Sequence, residues 1–191
     1  MLKLAEEWNV ITKAPRVTLL AGEHQRDRVI TPQEESLYLN AAAPLLHDVS
    51  VVLFDKGMRP GECHEMRWEN LAWINGRHGA IRIPLGKSKA ARRTLPMTPR
   101  VRSTFEGRWI EAGQPDEGWV WPAPTKSGHI NHDSLKKAHA KALRLSGVRP
   151  FEVYAIRHTM LTRLGESGCD VWTLARIAGH HQHVNAVRSF C

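Results

Sequence analysis

Helix-period blocks of apolar residues fill most of the chain, and one stretch near its middle changes to the two-residue period of strands. Residues 1–30 mix apolar and charged positions without a sustained period, and residues 22–28 are polar enough for a linker. Thr31-Pro32-Gln33-Glu34 is a helix start, with Thr31 as N-cap, Pro32 at N1 and Glu34 closing a capping box. That helix is predicted to run to about Ala43. A second spans roughly Pro44 to Lys56, with Leu45, Leu46, Val49, Leu53 and Phe54 as its buried stripe and Gly57 ending it. A third, short helix starts at Arg59-Pro60 and reaches about Trp68.

The period then changes. Residues 71–74 and 78–84 flank Asn75-Gly76, a dipeptide suited to a type I′ hairpin turn with positive φ at both central positions. Ile81, Ile83 and Leu85 alternate with Ala80, Arg82 and Pro84, which gives the second strand one buried face. Residues 86–93 form a basic turn, and Thr94-Leu95-Pro96-Met97 closes a third short strand. Helical pattern resumes at Thr98-Pro99, to about Ala112. A loop rich in Pro, Gly and Trp covers 113–128, with Trp119-Val120-Trp121 as a possible short strand. Asn131 or Asp133 caps a helix to about Leu145, Glu152 to Glu166 forms another ended by Gly168, and Asp170 caps the last, Val171 to about Ala178. The fold class is therefore mainly α with a small antiparallel β-sheet, an α+β helical bundle carrying three short strands.

At 191 residues with 42% hydrophobic and 24% charged content, the chain can bury a core without staples. No apolar run approaches the roughly 20 residues that cross a bilayer, and residues 1–20 lack the pattern of a signal peptide. Cys63, Cys169 and Cys191 are odd in number and show no CxxC spacing, which argues against a disulfide framework or zinc ribbon and fits a reducing cytoplasm. The net charge is +8. Between Arg77 and Arg108 stand nine basic residues and one acid, Glu106, a local excess equal to that of the whole chain. So little acidic interleaving favours a polyanionic partner over a merely solvated face.

Three local patterns carry groups suited to one phosphate: Gly57-Met58-Arg59-Pro60-Gly61-Glu62, Tyr154-Ala155-Ile156-Arg157-His158-Thr159, and Leu174 through Gly179-His180. Between the first two lie Gly86-Lys87-Ser88-Lys89 and Arg92-Arg93-Thr94-Leu95-Pro96. In order, spacing and context these segments resemble the arginine, hairpin-lysine, second-arginine and leucine/glycine/histidine motifs of the tyrosine recombinases, the phage-integrase family, across about residues 31–180. Each is weak alone; four in order are strong.

The resemblance implies a recombinase catalytic domain at 31–180, with residues 1–30 as linker or tail of an N-terminal DNA-gripping domain and 181–191 as an atypical, truncated or altered tail. It implies breakage and rejoining of DNA through a 3′-phosphotyrosyl bond. That bond stores the energy of the one broken, so no nucleotide cofactor or metal is needed. Arg59 and Arg157 would each present a permanently charged fork to the non-bridging oxygens, where one such donor is typically worth on the order of 3–4 kcal/mol in the transition state. His180 would donate to one of those oxygens. Glu62, one helical turn from Arg59, would orient its guanidinium. Lys87 is preferred over Lys89 as the general acid that protonates the leaving 5′-oxygen, while Lys89, Arg92 and Arg93 would contact DNA. Tyr154 stands where the family most often has histidine. A phenol keeps its proton at neutral pH and is a poor base, so phosphate positioning is carried over to it and the base role is not. His158 is expected to buttress the arginine face.

The nucleophile is the departure. Ser189 stands nine positions beyond His180, where the family's tyrosine would fall, with Phe190 next, and the two tyrosines of the chain are Tyr38 and Tyr154. An altered reading frame near residue 181, a natural loss of the nucleophile, or attack by another group would each account for this, with the first two preferred. The expectation is DNA binding without a covalent adduct, a monomer for this piece, and a tetramer on DNA for an intact protein acting in the cytoplasm. Two other readings compete. A metal-dependent nuclease would draw on His180, His181 and His183, but no acidic cluster accompanies them. A DNA-binding remnant would keep the arginine pocket for affinity alone. A type IB topoisomerase uses similar chemistry, though size and the hairpin pattern favour an integrase.

Overall fold

The computed structural model describes residues 7–10, 12–13, 28–84 and 92–180. Lys87, Lys89, Ser189 and Phe190 lie outside the described residues, as do His181 and His183. The architecture is a helical bundle with a three-stranded antiparallel sheet at one side, as the sequence pattern indicates. Helix α1 is Pro32–Ala41, opened by the Thr31 cap and its reciprocal bond to Glu34. Helix α2 is Pro44–Lys56. Val51 and Val52 are as buried as Val49 and Leu53, so α2 is the central rod of the core, where a one-sided stripe was expected. It packs against α6 (Val153–Glu166), α4 (Pro99–Glu111) and α5 (His132–Ser146).

The third helix is shorter than its pattern predicts. α3 covers Pro60–His64, and a separate 3-10 turn follows at Trp68–Asn70. The chain is drawn out of helix at Met66 and Trp68, whose backbone groups pair with Val120 and Gly118. The sheet pairs β1 (Leu71–Ala72) with β2 (Ala80–Ile83), and β2 with β3 (Arg93–Pro96). The register Ala72↔Ala80 leaves residues 73–79 as the connection, so Asn75-Gly76 does not make a two-residue hairpin. Gly76 has φ 74° and Gly79 φ 87°, while Asn75 is not in the left-handed region. Arg102 accounts for the difference: it donates to the Trp73 carbonyl and stacks on the Trp73 ring, holding the wider loop against α4. Trp119-Val120-Trp121 forms only an isolated bridge, with Val120 and Trp121 buried. The last helix among the described residues, α7, is Val171–Ala178, capped by Asp170 as predicted.

Tyr38, one of the two tyrosines, is core. It is fully buried, and its hydroxyl lies 2.7 Å from His139 Nδ1. His139 Nε2 lies 2.8 Å from the Phe151 carbonyl, which can only accept, so Nδ1 is the acceptor and the phenol the donor. Burial pushes the Tyr38 pKa up to about 12.

Candidate active site

The site is assembled where three chain segments meet the end of α7. Helix α2 stops at Gly57, whose φ of 56° reverses the chain. A β-carbon there would lie 2.6 Å from Met160 Sδ on α6, so glycine serves both the turn and the helix contact. The turn buries Met58 and presents Arg59 at the start of α3, its side chain 35% exposed. Glu62 reaches back along that first turn. Its Oε2 accepts from the Arg59 backbone N–H at 2.9 Å, and its Oε1 from Arg59 Nη1 at 2.9 Å. Glu62 thus touches Arg59 at both its backbone and its guanidinium.

Arg157 enters from α6. It is 1% exposed, donating from Nη1 to the Gly57 carbonyl at 2.5 Å and from Nη2 to the Ala178 carbonyl at 2.6 Å. Both acceptors lie at helix C-termini, where backbone carbonyls carry partial negative charge. A buried cation thereby gains polar partners without a direct carboxylate. Burial pushes the Arg157 pKa down to about 10. Tyr154 and Glu62 oppose that shift, and Arg59 and Arg93 add to it. The group stays cationic at neutral pH. Its fork is less open than expected, because both terminal nitrogens already serve carbonyls and the remaining N–H bonds must do any reaching.

Helix α7 ends in a Schellman turn. Gly179, at φ 67°, donates to Arg176 O, and His180 donates its backbone N–H to Ala175 O. The next three carbonyls each accept from a different arginine: Ile177 from Arg93 Nε at 2.8 Å, Ala178 from Arg157, and Gly179 from Arg59 Nη2 at 3.4 Å. A β-carbon on Gly179 would lie 2.7 Å from Arg93 Nη1 and 3.3 Å from Arg59 Nη1. Three guanidinium groups thus converge on one helix end. His180 sits beside them. Burial lowers its pKa first, and the charges of Arg157, Arg59 and Arg93 lower it further, so the imidazole is neutral at pH 7 and carries a single N–H.

The structure brings Arg59, Glu62, Arg157 and His180 together. Tyr154 is 47% exposed on α6 and close enough to Arg157 to affect its charge. His158 is half-buried on the same helix. Arg92 is exposed at the mouth of β3. Arg93 departs from its expected DNA contact. Its side chain is 7% exposed and grips both Glu62 oxygens, at 3.0 and 2.8 Å.

The basic run between Arg77 and Arg108 also changes meaning. Arg100 pairs with Glu35 and Asp55, Arg102 with Glu106, and Arg108 with Asp48. With Arg93 on Glu62, four of the seven described bases of the run are neutralised, mostly by acids that precede the run in sequence. A charge count along the chain cannot register partners that only folding supplies. Helix α5 carries the basic face that the count missed. Lys137, Lys141 and Arg144, at i, i+4 and i+7, are exposed and have no carboxylate partner among the described residues, while Leu135 and Ala142 face the core. Their spacing was available in the sequence as a signal.

Among the described residues no cluster of three or more His, Cys, Asp or Glu side chains could hold a metal ion. Cys63 is fully buried and burial pushes its thiol far up, which makes it inert packing.

The chain is a helical domain with an edge sheet, and three arginines gather at one helix end. The family model "Phage integrase family" matches residues 29–189, and the chain belongs to that family. The integrase of Salmonella phage P22 is 22% identical over 190 residues, covering 94% of this chain and 48% of the relative. The XerA recombinase crystal structure superposes with TM-score 0.71 at 15% identity, covering 98% of this chain and 66% of that one. XerH bound to its difH substrate, in a pre-cleavage complex, superposes with TM-score 0.67 at 18% identity, covering 85% and 49%. The chain spans about half the length of the curated relatives it matches.

Proposed function

We propose that this domain binds double-stranded DNA and holds one backbone phosphate between Arg59, Arg157 and His180, as the phosphate-gripping part of a site-specific tyrosine recombinase. The observation that carries the reading is the convergence of Arg59, Arg93 and Arg157 on the last carbonyls of α7 beside a neutral His180. Like charges so close repel one another, and Glu62 is bonded between two of them. A phosphate relieves that repulsion. Arg59 supplies the accessible fork, His180 an N–H, and Arg157 a fixed charge from below. Tyr154 stands at the rim, where its hydroxyl can donate to a phosphate oxygen. Lys87, with Lys89 as competitor, is the proposed general acid. The exposed face of α5 supplies further contacts along the duplex.

The domain is proposed to be cleavage-incompetent within residues 1–191, since Tyr38 is a core donor and Tyr154 sits on the arginine helix. In an intact recombinase the partners are DNA and three further copies, in the cytoplasm. A nicked suicide duplex incubated with the chain and run on a denaturing gel tests the reading. We expect salt-sensitive binding on a native gel and no covalent band; a covalent band overturns cleavage-incompetence. Ser189→Tyr and Phe190→Tyr separate a disabled enzyme, which regains nicking, from a binding remnant, which does not.

A further inference from the structure

Given a phosphate held by Arg59, as proposed above, we infer that Arg93 is a positioning residue that sets the geometry of that arginine through Glu62. Arg93 opens β3, directly after the segment that carries Lys87 and Lys89. Its guanidinium does not face solvent. Nη1 and Nη2 take the two oxygens of Glu62 in a fork-to-fork pair, and Nε donates to the Ile177 carbonyl on α7. One side chain therefore joins the strand, the first turn of α3 and the end of α7.

Glu62 is the shared element. Its Oε1 accepts from Arg59 Nη1 and from Arg93 Nη1, while its Oε2 accepts from Arg93 Nη2 and from the Arg59 backbone N–H. With Arg93 in place, the carboxylate has one allowed orientation, and Arg59 must meet it there. Burial alone would push the Glu62 pKa up, but the bonds from Arg93 and Arg59 outweigh it and hold the carboxyl below its usual range. Gly179 gives a second, independent line. Its missing β-carbon leaves the space into which both the Arg93 and the Arg59 guanidinium groups extend. An arginine placed there only to brace the strand would not need to share a carboxylate and a glycine with the phosphate-facing arginine. Lysine cannot substitute, because a single ammonium cannot hold both oxygens and the Ile177 carbonyl in one plane.

Inorganic phosphate is the probe, titrated into the whole chain and followed by the ring resonances of His180 in NMR, with melting temperature measured in parallel. The wild-type chain is expected to give a saturable shift that Arg59→Gln abolishes. Arg93→Lys keeps the charge and is expected to weaken phosphate at least tenfold while the melting temperature stays within a few degrees. Glu62→Gln should weaken it similarly, and the double variant should be no weaker than the worse single one. Phosphate affinity within twofold of wild type in Arg93→Lys, or losses that multiply in the double variant, would reduce Arg93 to a brace and overturn the inference. Should Arg93→Lys fail to fold, Glu62→Gln decides alone, with unchanged affinity counting against it. A wild-type chain without a saturable response, or an Arg59→Gln variant that still responds, overturns the phosphate pocket itself and the role of Arg93 with it.

Discussion

Arg157 donates to the carbonyl oxygen of Gly57 across 2.5 Å, although one hundred positions separate the two in sequence. The bond ties α6 to the left-handed end of α2, and its companion to Ala178 ties α6 to α7. A residue expected to serve chemistry is thus also a structural clamp between two helix ends.

Arg157→Lys should therefore lower stability as well as phosphate binding. One ammonium cannot span both carbonyls, and a buried carbonyl left without a donor costs about 1–3 kcal/mol. For a domain of this size the melting temperature should fall by roughly 2–4 °C per kcal/mol. Urea denaturation of the wild type and variant measures the loss. Equal stability would show that the clamp is energetically idle.

Gly179→Ala and Gly147→Ala form a matched pair. Both glycines end helices in the left-handed region, at φ 67° and 65°. A β-carbon on Gly147 meets nothing within 4 Å, whereas one on Gly179 meets Arg93 and Arg59. Each substitution should cost about 1–2 kcal/mol from backbone strain. Only Gly179→Ala should also disturb the arginines and weaken DNA or phosphate binding. Chemical denaturation alongside fluorescence anisotropy separates the two costs.

Acid should destabilise the fold through His64. The ring is 5% exposed, its Nε2 has no partner, and burial pushes its pKa down to about 4, with His129 and His132 adding to the shift. In the unfolded chain a histidine binds its proton below about 6.5. Between the two values unfolding takes up a proton, so stability falls as pH drops from neutrality towards 4, by a total on the order of 3 kcal/mol. His139 and His180 shift in the same direction. Unfolding free energies measured across that window should slope less steeply in His64→Leu than in wild type.

Charge substitutions should sort by pairing rather than by position along the chain. Lys137→Gln, Lys141→Gln and Arg144→Gln remove exposed charges on α5, and each should reduce the salt slope of DNA binding by about 1. Arg100→Gln removes a charge already paired with Glu35 and Asp55 and should change stability more than the slope. Anisotropy titrations at several salt concentrations provide the comparison. A slope that falls equally for Arg100→Gln would place the binding surface on α4.

Local rules determined the helices and their ends. Thr31, Asn131 and Asp170 cap where their side chains can reach orphan N–H groups, and Gly57 and Gly179 end helices where positive φ is required. These interactions span three or four residues, so they are written in the sequence itself. The motif residues Arg59, Arg157 and His180 were legible through the resemblance of their short segments to the motifs of the tyrosine recombinases. Tertiary structure decided the rest. Asn75-Gly76 lost its two-residue turn to a contact with Arg102 on α4. Arg93 turned inward because Glu62, thirty-one residues earlier, lies beneath it. Half-buried charges seek whichever opposite charge or carbonyl the fold brings within about 3 Å. That neighbour is set by the packing of helices distant in sequence, which no local pattern encodes.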